Sequence, residues 1–434
     1  MSPPEQSRES IIHEDEFARL LEERGRDFFR LLKHLERRDP KDWVKRHLSE
    51  LVERSHEIET FLDDFDARNN KTFCFLTELV ASLRGFGIVA STLKHLISRF
   101  PRYRVAYEPG DASAFSTATE QTTRFLSNAI VALMREFGRE RAALKIAAPA
   151  DTPTDSSGHV EAPRRVLPHN IDEEDIRDED QRIGEVATKY VGASDRLAWA
   201  GERVVVGADS IRRTIVERFD EERARGYESL VHSIQSKYDT YVKGTAIEAR
   251  NASLPRLRGH ASAALHLLQM ATHLVHFYER HENDIRFEAA KARIASLVDK
   301  ADVLDRVVNF CLYFAARTLT AGKRFATEAL ASFLEVQKLE LALPDGTTLH
   351  ARPISLIVKV VQHHGTHVEL EIDGESCSAN SIMQMILLVG NRAGSRRLIF
   401  RGDTRPLSDL KLLFENNLGE SGTARFPEQI AYLR

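Results

Sequence analysis

Hydrophobic positions in the first two thirds of the chain recur every three or four residues. In the last hundred residues they switch to alternation and back. The first pattern predicts helices and the second predicts strands interleaved with helices. A charged amphipathic helix is expected over residues 14 to 37, broken at Pro40, and a second over 41 to 68. A more apolar third, Thr72 to Arg99, stops before Pro101. Phe73, Leu76, Val80 and Leu83 lie along one face of it, and Phe75, Leu79 and Phe86 widen that face, which marks a buried helix of a bundle. A fourth helix runs from about Ser113 to Ile146.

Between Ala147 and Glu179 the pattern lapses. Pro149, Pro153, Pro163 and Pro168 mix with Ser, Thr and acids, the composition of a mobile linker. Helical patterning returns near Asp180 and continues with few breaks to Asn251. Ser253 and Pro255 read as the cap and first turn of the next helix, and further helices reach Glu335. Long Glu- and Arg-rich helices with apolar stripes are bundle or coiled-coil elements, and pairing into a homodimer is their natural consequence.

From Val336 the period changes. Leu339, Leu341 and Leu343 alternate with polar residues as in a half-buried strand, ended by Pro344-Asp345-Gly346. Ile354, Ile357, Val360 and Val361 then share a helical face that Gly365 closes. Val368, Leu370 and Ile372 alternate with Glu369 and Glu371, and Asp373-Gly374 is a strong hairpin signal. A short apolar helix opens at Ser381, a strand lies around Leu398 to Phe400, and a helix begins near Pro406 with Leu407, Leu410, Leu413 and Phe414 on one face. The order is β-α-β-β-α-β-α. Its expected core is Leu339, Leu341, Ile357, Val360, Val368, Leu370, Ile386, Leu398, Phe400, Leu410 and Phe414.

The whole chain therefore divides into a helical bundle over 1–146, an acidic, Pro-rich linker over 147–179, a long helical bundle or coiled coil over 180–335, an α+β domain over 336–419 and a tail over 420–434. The fold class is multidomain, mainly α-helical and followed by a small α+β sandwich. The 434 residues leave room for two or three units, and a 42% hydrophobic, 29% charged composition is that of a globular protein. A net charge of −4 argues against binding of nucleic acid through phosphate contacts. Cys74, Cys311 and Cys377 are widely spaced and form no CxxC pair, so neither a disulfide framework nor a zinc site is implied, and a reducing, cytoplasmic compartment is expected. The start Met1-Ser2-Pro3-Pro4 lacks a leader pattern, and no apolar run approaches about 18 residues, so no membrane span is expected.

The chemistry concentrates at Thr348-Leu349-His350-Ala351-Arg352-Pro353. Here a histidine and an arginine stand at the start of a helix, where unpaired amides and the positive end of the helix dipole favour an arriving phosphoryl group over an imidazolium. Arg352 can grip phosphoryl oxygens with its fork of donors, and Pro353 costs little in a first turn. His273, His276, Glu279, His281 and Glu282 invite a metal reading, but the spacing is not a Glu-x-x-His pair and no second motif matches it, so a solvated helical face is the simpler reading. His363, His364 and His367 straddle a helix end and read as a surface turn. The faint echo between Thr72–Leu83 and Arg286–Leu297 is too short to mark a duplication.

From Val336 to Leu418 the chain resembles HPr, the histidine-containing phosphocarrier of the bacterial sugar phosphotransferase system. The His350 turn and the Ser381 helix stand where the family has its two signatures. The resemblance implies an open-faced sandwich, a four-stranded antiparallel sheet covered on one side by three helices. It implies that His350 accepts a phosphoryl group from Enzyme I and passes it to a IIA-type protein, with Arg352 and the amides after Ala351 stabilising it. The protein would then be a carrier without cofactor or metal, not a turnover enzyme. It implies docking of partners on Ile382, Met383 and Ile386, and phosphorylation of Ser381 as a possible regulatory step beside its simple capping role. Thr348 and Ile354 stand where the family has a glycine and a small residue, and Gly390 falls one residue late. The long helical attachment suits regulation better than bulk sugar transport. A rival reading makes the chain a helical scaffold with an unphosphorylated HPr-like binding module. Another makes it a helical metal- or ligand-binding protein switched by the carrier domain.

Overall fold

The computed structural model describes residues 11–147, 179–281, 288–333, 336–344, 347–392, 394–420 and 426–433. The expected linker falls almost wholly outside them, as do Asp345-Gly346, Glu282, Arg286, Phe287 and Glu335. The chain is mostly helical, with one small antiparallel sheet close to the C-terminal end.

The helical part comprises α1 (Glu14–Arg24), α2 (Arg26–Glu36), α3 (Lys45–Asp64), α4 (Cys74–Tyr103), α5 (Pro109–Ala143), α6 (Glu179–Leu197), α7 (Ala208–Arg218), α8 (Glu221–Tyr241), α9 (Ala246–Arg250), α10 (Ser253–Glu279), α11 (Glu288–Leu297), α12 (Lys300–Asp305) and α13 (Tyr313–Phe333). The helix expected over 14 to 37 is divided at Gly25, whose Cα sits so close to the Phe29 ring and the Leu21 carbonyl that a side chain would collide with both. Pro101 does not stop α4. It lies one turn from the end, where its missing amide costs a single helical bond, and the helix continues to Tyr103. The stretch from Asp180 to Asn251 is broken more often than its periodicity suggests, at 198–207, 219–220 and 242–245. Ser253 lies inside the first turn of α10, and Ala252 holds the capping position.

The two helical stretches read from the sequence share one core. Leu76, Leu79 and Leu83 of α4 belong to the same buried cluster as Leu267, Leu268 and Leu274 of α10 and Leu319 of α13. By length and composition α4 could cross a membrane, contrary to the expectation that no run reaches that length, but 67% of its apolar window is buried inside the protein. A buried ion pair clasps the junction: Arg280 donates to both carboxylate oxygens of Glu78, at 2.9 and 3.0 Å.

The α+β part has its own core, separate from the first. It runs β1 (Val336–Ala342), α14 (Ala351–His364), β2 (Val368–Ile372), β3 (Glu375–Ser378), α15 (Ile382–Asn391), β4 (Arg397–Asp403) and α16 (Thr404–Glu415), which is the expected element order. The sheet order is β1-β4-β2-β3 and every pairing is antiparallel. Val368, Leu370 and Ile372 point inward and Glu369 and Glu371 outward, so the alternation in the sequence is the alternation of the pleat. Asp373 and Gly374 have φ of 48° and 82°, the left-handed pair that a tight hairpin needs, and Ile372 pairs with Glu375 across it. Gly365 closes α14 with φ of 66°. On the outer face Arg397 is ion-paired with Glu340 and Arg401 with Glu371, a charged surface that suits the open side of the sheet.

Three members of the expected core are placed differently. Leu339 and Leu341 are only partly buried, because β1 is an edge strand paired with β4 alone. Ile386 is 41% exposed, and Met385 and Leu388 fill the core from α15 instead.

Because the second core is closed by residues from Leu349 onward, a fragment 336–434 is expected to unfold as one cooperative unit without the helices. Circular dichroism through a thermal ramp checks this, and a fragment with no transition would show that the helical part completes the domain.

Candidate functional site

His350 occupies the N-cap of α14 with extended backbone, φ −99° and ψ −174°. Its carbonyl accepts the first helical bond, from the Ile354 amide at 3.2 Å. Pro353 has no amide, and the amides of Ala351 and Arg352 have no turn preceding them to bond to, so the helix begins with its donors open. The imidazole is 51% exposed. Its Nε2 lies 3.4 Å from Oε1 of Glu420, a carboxylate brought in by the chain after α16, and this leaves Nδ1 as the ring nitrogen without a partner among the described residues. Arg352 is exposed two residues on, with no carboxylate in ion-pair reach among the described residues.

The two unusual residues of the turn are harmless to this geometry. Thr348 is exposed and its carbonyl accepts the His350 amide at 3.1 Å. Ile354 is 1% exposed, directed into the core and not into the mouth of the site. Gly390 lies within α15 with open space around it.

Ser381 caps α15. Its hydroxyl accepts the Gln384 amide at 3.4 Å and its carbonyl the Met385 amide at 3.0 Å, while the Gln384 side chain accepts the Ser378 amide at 3.2 Å. The outward face of α15 is apolar. Ile382, Met383 and Ile386 are 43%, 67% and 41% exposed, and Leu387, which the sequence reading passed over, is 60% exposed. Leu387 could have been found by carrying Met383 forward one helical turn, as Ile386 carries Ile382. A cluster of four large apolar residues in water is the signature of a contact surface.

The other histidine groups are engaged by local partners, and none gathers into a set of three or more metal-ligating side chains among the described residues. His276 meets Glu221 at 2.7 Å, Glu279 accepts the Glu221 amide at 3.0 Å, and His281 bonds the Phe277 carbonyl at 2.7 Å. His364 and Tyr432 share one oxygen of Asp409, at 2.8 and 2.6 Å, and His363 stacks on the Tyr432 ring at 3.6 Å. Neither Asp409 nor Tyr432 was singled out by the sequence, since both are brought to α14 by later elements. Burial, with the acidic Asp409 neighbour second, pushes the Tyr432 hydroxyl pKa up.

No family model matches the chain, and neither does any curated protein or any solved structure.

Burial pushes His260, His273 and His281 down from 6.5 to about 4, so the folded core holds them neutral. The unfolded chain takes up these protons near 6.5, so the stability they contribute is complete above that pH and is lost as the pH falls towards 4. The cost at about pH 5 is on the order of 1 kcal/mol or more for each group. Urea unfolding at pH 7 and pH 5 measures it. A midpoint that does not move, or a His273→Leu variant with an equally steep fall, would contradict the assignment.

Proposed function

We propose that the C-terminal α+β part is an HPr-like phosphocarrier and that His350 is its acceptor. The observation that carries this reading is a half-exposed histidine at the cap of α14 with open amides beside it and an uncommitted arginine two residues on. The antiparallel sheet with three helices on one side supports the same reading, because it is the architecture the resemblance implies.

In the proposed transfer, Nδ1 of neutral His350 attacks the phosphorus held on a phosphohistidine of Enzyme I. A new N–P bond forms as the donor's N–P bond breaks. The proton stays on Nε2, facing the Glu420 carboxylate, which offsets the positive charge that develops on the ring. The amides of Ala351 and Arg352 and the Arg352 guanidinium take the phosphoryl oxygens. A IIA-type acceptor then reverses the step. The apolar face of α15, Ile382, Met383 and Ile386 together with Leu387, docks donor and acceptor in turn. The helical part makes the assignment regulatory. It binds a partner or a second copy of the chain, with Val204, Val206 and Val216 among its exposed apolar residues, and about two added charges at His350 bias that binding.

Incubation with Enzyme I and phosphoenolpyruvate is expected to give an acid-labile, base-stable phosphoprotein, absent in His350→Ala. Arg352→Ala is expected to slow transfer roughly a hundredfold with the fold intact. Full labelling of His350→Ala would remove the carrier reading and leave the binding-module one.

Ser381 is proposed to serve chiefly as a cap, so Ser381→Ala is expected to cost about 1 kcal/mol of domain stability. If it is also a regulatory phosphorylation site, Ser381→Asp weakens docking of Enzyme I. Unchanged transfer rates in Ser381→Asp would discard the regulatory role and keep the capping one.

A further inference from the structure

The helical part contains a cavity of about 730 Å³ between the turn preceding α3, the last turns of α4 and the first half of α5. Its size is that of a small-molecule site. Phe100 and Phe115 form one wall, stacked with ring centroids 4.6 Å apart and planes within 22°. Ile97, Pro40 and Pro101 continue the apolar lining. On the α5 wall the hydroxyls of Thr119 and Thr123 are bonded to that helix's own carbonyls, of Phe115 at 2.6 Å and Thr119 at 2.8 Å, while Ser116, Glu120, Arg124, Ser127 and Asn128 add polar groups to the same wall.

The charged groups of the lining are unequally satisfied. Lys41, Lys94 and Arg124 face the cavity against Asp39 and Glu120. Asp39 is already engaged, accepting the Lys41 amide at 2.9 Å. Lys94 is half-buried and its ammonium donates to the Trp43 carbonyl, with no carboxylate in ion-pair reach among the described residues. Burial alone pushes its pKa down. A partly buried ammonium that has a carbonyl partner but no counter-ion is a group that an anion would stabilise.

We propose that this cavity binds a small organic acid with an aromatic body, the ring against Phe100 and Phe115 and the carboxylate towards Lys94. Ile97, Phe100, Pro101 and Phe115 give the ring of such an acid a surface to pack on that a bare phosphate could not use. The assignment is independent of the carrier reading, since no residue of the α+β part lines the cavity.

Isothermal titration of the full chain with 2-naphthoate tests it, with neutral 2-naphthamide as the comparison. Saturable one-to-one binding of the acid is expected, with the amide roughly tenfold weaker or more, the scale of one charge-assisted contact. Lys94→Met is expected to abolish that preference, and Ser116→Trp, which places an indole in the cavity, to abolish binding. Thermal unfolding establishes that each variant is folded. The comparison of acid and amide on the unaltered protein stands even if a variant is not. Absence of binding, equal affinity for acid and amide, or undiminished binding by folded Ser116→Trp would each overturn the proposal.

Discussion

Everything at the candidate site depends on the first turn of α14 having donors with nowhere to go. A helix that begins in water leaves its leading amides open, and here Pro353 removes one while His350 and Arg352 flank the others. The rest of α14 is committed elsewhere. Ile354, Ile357, Val358, Val360 and Val361 are buried on the sheet, so the helix cannot shift along its axis to hide that turn without exposing its core face. The rigid end of a well-packed helix thus presents an imidazole, two amides and a guanidinium to solvent in fixed register.

The surroundings refine this arrangement. Glu420 approaches Nε2 from the chain that follows α16, so the ring nitrogen turned from the acid is the one left without a partner among the described residues. At the other end of the same helix, His363 and His364 are held by Tyr432 and Asp409, and Ile430 and Leu433 enter the core. The last described residues are therefore part of the domain, and the expected boundary between a domain ending at 419 and a separate tail does not describe their packing. The α15 face adds an exposed apolar patch to the same body. Exposed apolar residues gathered in one place are characteristic of contact surfaces, and the proposed carrier reading would use them to dock its partners.

The helical part obeys a different logic. Its core gathers residues from Phe17 to Ala329, and its buried polar groups are mostly satisfied in place, as Glu78 is by Arg280 and His260 by the Ala106 amide and the Arg256 carbonyl. Such groups fix which helices are neighbours. Lys94, which has the Trp43 carbonyl but no carboxylate in ion-pair reach among the described residues, stands out against that background.

Local signals were fully legible in the sequence. The alternation of Val368 to Ile372, the Asp373-Gly374 hairpin, the Gly365 stop and the Ser381 cap act over four residues or fewer, and each appears where the pattern put it. The same holds for His350 and Arg352, whose placement needs only the start of one helix. Tertiary structure alone decided the rest. The union of two helical stretches in one core, the outward turn of Ile386, the survival of α4 past Pro101, the arrival of Glu420 at His350 and the Phe100–Phe115 cavity all join segments far apart in the chain or weigh one burial against another. Periodicity states that a residue is apolar and on which face it lies. Which surface meets that face is settled only by packing, where many faces compete for the same interior.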